Sequence, residues 1–233
     1  MAWRAGRSWW RAVPHDPGAG TSRRPVVTIW GRYGTFPSEV GQGVADLLGI
    51  PFHDEAFPER DILDIVGGRP GNHPELAEFI RSLRAAGDAP DPDEAGDRPE
   101  RPTLADLHRV TPPSGVDENT RHVRGYAENG GVIIGHSATR ILAGRPGALH
   151  VKLSAPSSHR ISQVEQRTGL RGAEVRERAR IDEWVRSRTS IVAYGWDPRF
   201  DDLFGLVLNT ALWDADTTIE IIATAARVAA ARA

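Results

Sequence analysis

Four segments of this chain carry residue types suited to holding an anion, and each follows an apolar run. Gly31 to Pro37 follows Val26-Val27-Thr28-Ile29-Trp30, Gly135-His136-Ser137 follows Val132-Ile133-Ile134, Ser154 to Pro156 follows Leu149 to Leu153, and Asn209-Thr210 follows Leu206-Val207-Leu208. Glycines let such turns take positive φ and aim backbone N–H groups at a ligand, and Arg32 adds a cation to the first turn. Arg160 and Arg167 lie seven residues apart in a helical segment and therefore face one side. Arg176, Arg178, Arg180, Arg186 and Arg188 follow, with Asp182 among them. Each feature also has a plain structural reading. The first loop serves as a tight strand-to-helix turn, His136 as a structural strand-end histidine, and the arginine-rich stretch as a solvated helix with pairs such as Glu174–Arg178.

The elements that would position these residues follow from periodicity and breakers. Val26 to Trp30 reads as a buried parallel strand after Pro25. A helix runs from Ser38, a candidate cap, to Leu48, with Val40, Val44, Leu47 and Leu48 on one face and Gly49 as its stop. Ile50-Pro51-Phe52 reads as a short second strand, and residues 57–87 as two short helices. A helix is expected over Val116 to Asn129, then the strand Val132 to Ile134, the strand Leu149 to Leu153, helices over Ser157 to Arg167 and Gly172 to about Ser190, the strand Leu206 to Leu208, and an amphipathic helix over Ala215 to Ala231. This alternation predicts an α/β fold with a doubly wound parallel sheet, in which ligands sit beyond the carboxyl ends of the strands. All four segments then surround one cleft. Residues 1–24, with their scattered prolines and glycines, are expected to be a disordered leader, and Trp3, Trp9 and Trp10 among arginines make a protein partner conceivable there. Residues 25–233 are expected to form one domain, interrupted by a flexible Pro- and Asp-rich insertion over 88–102.

Composition narrows the chemistry. The formal net charge is −2 and charged residues make up 26% of the 233, so nothing in the charge balance calls for nucleic acid or an anionic membrane. The chain has no cysteine, which excludes disulfides and thiolate metal sites. No apolar run reaches membrane-spanning length, and no apolar stretch follows the arginines at the start, so neither a transmembrane helix nor a signal peptide is expected and a cytoplasmic location is. Of the 29 basic residues 28 are arginine, and the single lysine, Lys152, sits in a predicted strand away from the first loop.

Five segments in order resemble the cytidylate kinase-like family: Val27 to Thr35 continuing through Ser38-Glu39-Val40-Gly41; Leu48 to Asp54; Gly131 to Gly135; Ile141 to Pro156, running on to His159-Arg160-Ile161 and Arg167; and Leu206 to Thr210. The resemblance covers about residues 26–225 outside the insertion. It implies a P-loop NTPase-like, five-stranded parallel sheet flanked by helices, with helical acceptor-binding and lid regions. It further implies movement of the γ-phosphoryl of ATP to a nucleoside monophosphate such as CMP, with Mg²⁺ bridging the phosphates. Under that resemblance Arg32, Arg160, Arg167 and Asp182 are the catalytic candidates. Tyr33, Gly34, Thr35, Ser38 and Asn209 would bind the nucleotide cofactor, with Asn209 near the adenine, and Asp54 and His136 would bind the acceptor. The first loop departs from the family's Ser-Arg-x-Tyr-Gly-Ser-Gly-Gly pattern. Phe36 and Pro37 replace two glycines, the arginine has moved one position to Arg32, and no Walker lysine is near. His136 stands where the family has arginine, and Glu183 follows Asp182 where the family usually has a cation. Three readings follow: an active divergent kinase, a catalytically inactive relative that senses nucleotide or binds a partner, and an interaction protein that binds no nucleotide.

Overall fold

The computed structural model describes residues 24–69, 71–85 and 115–233. The expected insertion over 88–102 lies outside the described residues, as does the expected leader except for Arg24. Five strands, β1 (Val26–Gly31), β2 (Phe52–His53), β3 (Gly131–Ile134), β4 (Ala148–Ser154) and β5 (Leu206–Asn209), form one sheet in the order β2-β3-β1-β4-β5. Every pairing is parallel, with Ile29 opposite Ile134 on one side and Val151 on the other. The strands are apolar along their length because helices cover both faces.

On one face, Val27, Ile29, Val132, Ile134, Val151 and Leu153 pack under α1 (Pro37–Leu48) and the closing α8 (Ala215–Ala231). On the other, Val26 and Ile133 meet α4 (Val116–Glu128) and the single-turn α5 (Ala138–Ile141) through Val123, Ala127 and Ala138. Thr28 also points to that face. Its buried hydroxyl bonds with Thr139 Oγ1 and His150 Nδ1, both at 2.8 Å, so the polar atoms of this layer satisfy one another. A separate helical cluster joins α2 (Glu59–Val66) and α3 (Pro74–Ala85) to α7 (Gly172–Tyr194), with Ile62, Leu76, Phe79, Leu83 and Trp184 at its centre; α6 (Ser157–Thr168) precedes α7.

Two local expectations change. Ser38 is not the cap of α1. Phe36 takes the N-cap position at φ 51°, and Pro37 opens the helix, where a missing N–H costs nothing. The arginine-rich α7 is not a solvated helix either, because Val175, Asp182, Trp184, Val185, Ser187 and Ile191 are buried along it. The reason is its place between α6 and the α2–α3 pair, which need opposite sides of it.

The sheet grows from β1 through β3 to β2 in one direction and through β4 to β5 in the other, so the chain diverges at the carboxyl end of β1. That is the place at which open α/β sheets bind ligands. Trp184, 1% exposed, ties the helical cluster together next to it. Trp184→Ala is expected to lower stability by about 3–5 kcal/mol in urea denaturation, as is usual for a buried aromatic removed from a core.

Candidate functional site

The turn from β1 into α1 is tightly folded on itself. The N–H of Arg32 donates to Leu153 O at 3.1 Å, and the N–H and hydroxyl of Thr35 both donate to Arg32 O, at 3.0 and 2.7 Å. Gly34 has φ 82°, and a Cβ there would lie 2.7 Å from the Arg160 carbonyl oxygen, so only glycine fits. A Cβ on Gly31 would come within 2.6 Å of Thr35 Oγ1 and 3.0 Å of the Pro37 ring. Side chains of the loop itself, Thr35 and Pro37, thus fill the hollow of the turn.

Two guanidiniums and one loop N–H converge on one carboxylate. Glu183, on α7, accepts from the Tyr33 N–H at 3.1 Å and from Arg160 Nη1 at 2.8 Å through Oε1, and from Arg32 Nη2 at 3.0 Å and Nε at 3.3 Å through Oε2. Arg160 is 2% exposed and also donates to Tyr33 O and Ala155 O, pinning the loop to the start of α6. All three charged side chains are largely shielded from water, so their attractions are strong and the loss of one partner would strand the others. Tyr33 turns its hydroxyl to Glu59 at 2.7 Å; burial first, and then Glu59, push its pKa up. Arg167 covers the outer side of the loop, with its guanidinium 3.7 Å from the centre of the Phe36 ring and ion-paired to Glu39.

Beside the loop lies a cleft of about 630 Å³, bounded by the end of β1, the segment after β2, α4 and α7. Trp30, Phe57, Val185 and Tyr194 form apolar walls. On its α7 side Arg186 binds Asp182 through Nε at 2.8 and 2.9 Å and Glu55 through Nη2 at 2.6 Å, and it reaches Phe57 O at 3.3 Å. Burial opposes the Arg186 charge, but Asp182 and Glu55 together hold its pKa above the ordinary value. Glu55 goes the other way: burial pushes its carboxyl up to about 7 against the pull of Arg186, and Asp182 and Asp54 add to the rise. His136, at φ 53°, places Nε2 2.7 Å from Asp54 O and Nδ1 3.1 Å from Asn119 Oδ1, and burial lowers its pKa.

A family model described as the cytidylate kinase-like family matches residues 26–212. The chain belongs to the cytidylate kinase-like family. It is 32% identical over 114 residues to a cytidylate kinase from Methanopyrus kandleri and 29% identical over 105 residues to a uronate isomerase from Corynebacterium glutamicum, each match covering 45% of this chain. The matches span 59% of the first relative and 20% of the second. A solved structure of an uncharacterized protein from Eubacterium ventriosum superposes with a TM-score of 0.56 at 12% identity, covering 86% of this chain and 97% of that one.

The candidate residues of this family member fall into groups. Arg32, Tyr33, Gly34 and Arg160 come together around Glu183, and Arg167 joins them from outside. Thr35 is adjacent but turned inward and 4% exposed. Ser38 donates to Asp54 Oδ1 at 2.6 Å, and Asp54 links through its carbonyl to His136. Asp182 faces the cleft side through Arg186 rather than the loop. Asn209 stays apart at the end of β5, where its side chain accepts from the Ala211 N–H. Glu55 did not stand out in the sequence, Arg186 did so only as one of several arginines of its segment, and Glu183 only as an unexpected charge.

Glu55 gives this site a pH signature. Its folded pKa lies above its unfolded value of 4.5, so the unfolded chain ionises first and the folded state loses stability as pH rises from about 4.5 to 7. Replacing it by glutamine removes that loss. Between pH 5 and 7.5 the parent is expected to lose about 2 kcal/mol relative to Glu55→Gln, read by urea denaturation at each pH.

Proposed function

We propose that this chain keeps the family's scaffold as a ligand-sensing or partner-binding protein and does not transfer phosphoryl from ATP to a nucleoside monophosphate such as CMP. The observation that carries this reading is the seat of Glu183. A triphosphate on this loop would need the Tyr33 N–H and the Arg32 and Arg160 guanidiniums, and all three already hold that carboxylate. An added phosphate would lie against a shielded like charge, and expelling Glu183 would break two ion pairs.

The rest of the turn points the same way. Pro37 supplies no N–H where the family pattern has glycine. The Thr35 hydroxyl donates to Arg32 O and is buried. Lys152 is committed to Arg199 O and Asp201 under the Trp30 and Phe204 rings. As the loop stands, its converging donors already hold Glu183 and the Thr35 hydroxyl is already bonded. One observation favours the active reading instead: two guanidiniums and a loop N–H converging on one anion make a phosphate-type cradle, which a swing of Glu183 would uncover.

The two readings separate in one assay. With MgATP and CMP the protein is expected to form no ADP above background, and CMP is expected to leave its melting temperature unchanged. ADP appearing in step with consumption of CMP would overturn the proposal.

A further inference from the structure

The cleft beside the loop has a charge pattern of its own. Three carboxylates, Glu55, Glu75 and Glu118, line it. Arg186 is the only guanidinium among the described lining residues, and no lysine lines it. That arginine is spent on Asp182, Glu55 and the Phe57 carbonyl. Three histidines line it as well, and each already has polar partners: His73 sits between Asp61 and Glu75, each 3.2 Å away, His122 lies 3.9 Å from Glu118, and His136 contacts Asp54 O and Asn119 Oδ1. Among the described residues, a phosphate dianion entering here would meet carboxylates and a guanidinium that is already paired, a costly burial of like charge.

The remaining properties define what does fit. The volume of about 630 Å³ is that of a drug-sized molecule. Trp30, Phe57, Val185 and Tyr194 offer apolar and aromatic walls, which favour an apolar body and can face a cation over a ring. Glu55 lies deepest of the three acids, with a side chain 21% exposed against 35% for Glu75 and 64% for Glu118. It shares Arg186 with Asp182, so two carboxylates divide one guanidinium. A second cation placed beside Glu55 would complete the charge balance that Arg186 leaves short.

We infer that the cleft binds an organic cation, an ammonium group on an aromatic or apolar body, with Glu55 as its charge partner, and that it rejects nucleoside monophosphates. This inference concerns the cleft and does not rest on the state of the loop. Its test therefore contains no ATP, so ADP formation in the assay above would leave it standing. Binding of phenethylamine, 3-phenylpropanoate, cytidine and CMP to the full chain is measured by isothermal titration at pH 7.5 and constant ionic strength. Phenethylamine is expected to bind at least about tenfold more tightly than 3-phenylpropanoate or CMP, with Glu55→Gln or Glu75→Gln reducing that preference while the Arg186 pairing to Asp182 stays. CMP or 3-phenylpropanoate binding as tightly as the amine would overturn the inference, and so would the absence of saturable binding by phenethylamine. A preference for the amine that both variants leave intact would overturn the role of the carboxylates.

Discussion

The arrangement of this protein depends on one ion cluster, in which Glu183 gathers Arg32, Arg160 and the Tyr33 amide. Three separate stretches of chain meet there: the turn after β1, the first turn of α6 and the middle of α7. The cluster therefore does for the fold what a bound anion would otherwise do, since it gives two guanidiniums a shared counter-ion and satisfies a loop N–H away from water. Breaking a shielded pair of this kind costs about 3–5 kcal/mol, because the partner left behind stays charged without its counter-ion. The loop is held closed as a consequence of how α7 is docked.

A similar economy of charge shapes the neighbouring cleft. Arg186 is four residues along α7 from Asp182 and three from Glu183, so one helix carries the counter-ions of both regions. Where the loop has two guanidiniums for one carboxylate, the cleft side has two carboxylates for one guanidinium. The loop thus draws its anion from within the chain, and the cleft side carries an excess of acid. On the proposed reading, this contrast in charge is what separates ligand binding from phosphoryl transfer.

Much of the scaffold could be read in advance. Apolar runs such as Val26 to Trp30 and Val132 to Ile134 have no soluble place except a sheet covered on both faces, and all five strands are found where such runs end in glycine or polar turns. The closing helix spans Ala215–Ala231 as its periodicity predicts, capped by Asp214, which accepts from the Thr217 N–H. The start of α1 was misread because Ser38 is a good cap by type, whereas the Pro37 ring favours the first helical position and throws the cap onto Phe36. The charge cluster was illegible for a different reason. Glu183 lies 151 positions from Arg32 and 23 from Arg160, and nothing local distinguishes a glutamate bound for an ion cluster from one facing solvent. The pairing of Glu55 with Arg186 was illegible on the same ground, since it comes from α7 passing the segment after β2.

The central claim is that Glu183 stands in for an external anion on this loop. It is tested most directly by shortening that side chain and offering an anion back. Melting temperatures of the parent and of Glu183→Ala are recorded as inorganic phosphate replaces chloride at constant ionic strength. The account predicts that phosphate raises the melting temperature of the variant by about 3 °C or more while the parent does not respond. An equal response from both proteins, or none from the variant, would contradict it.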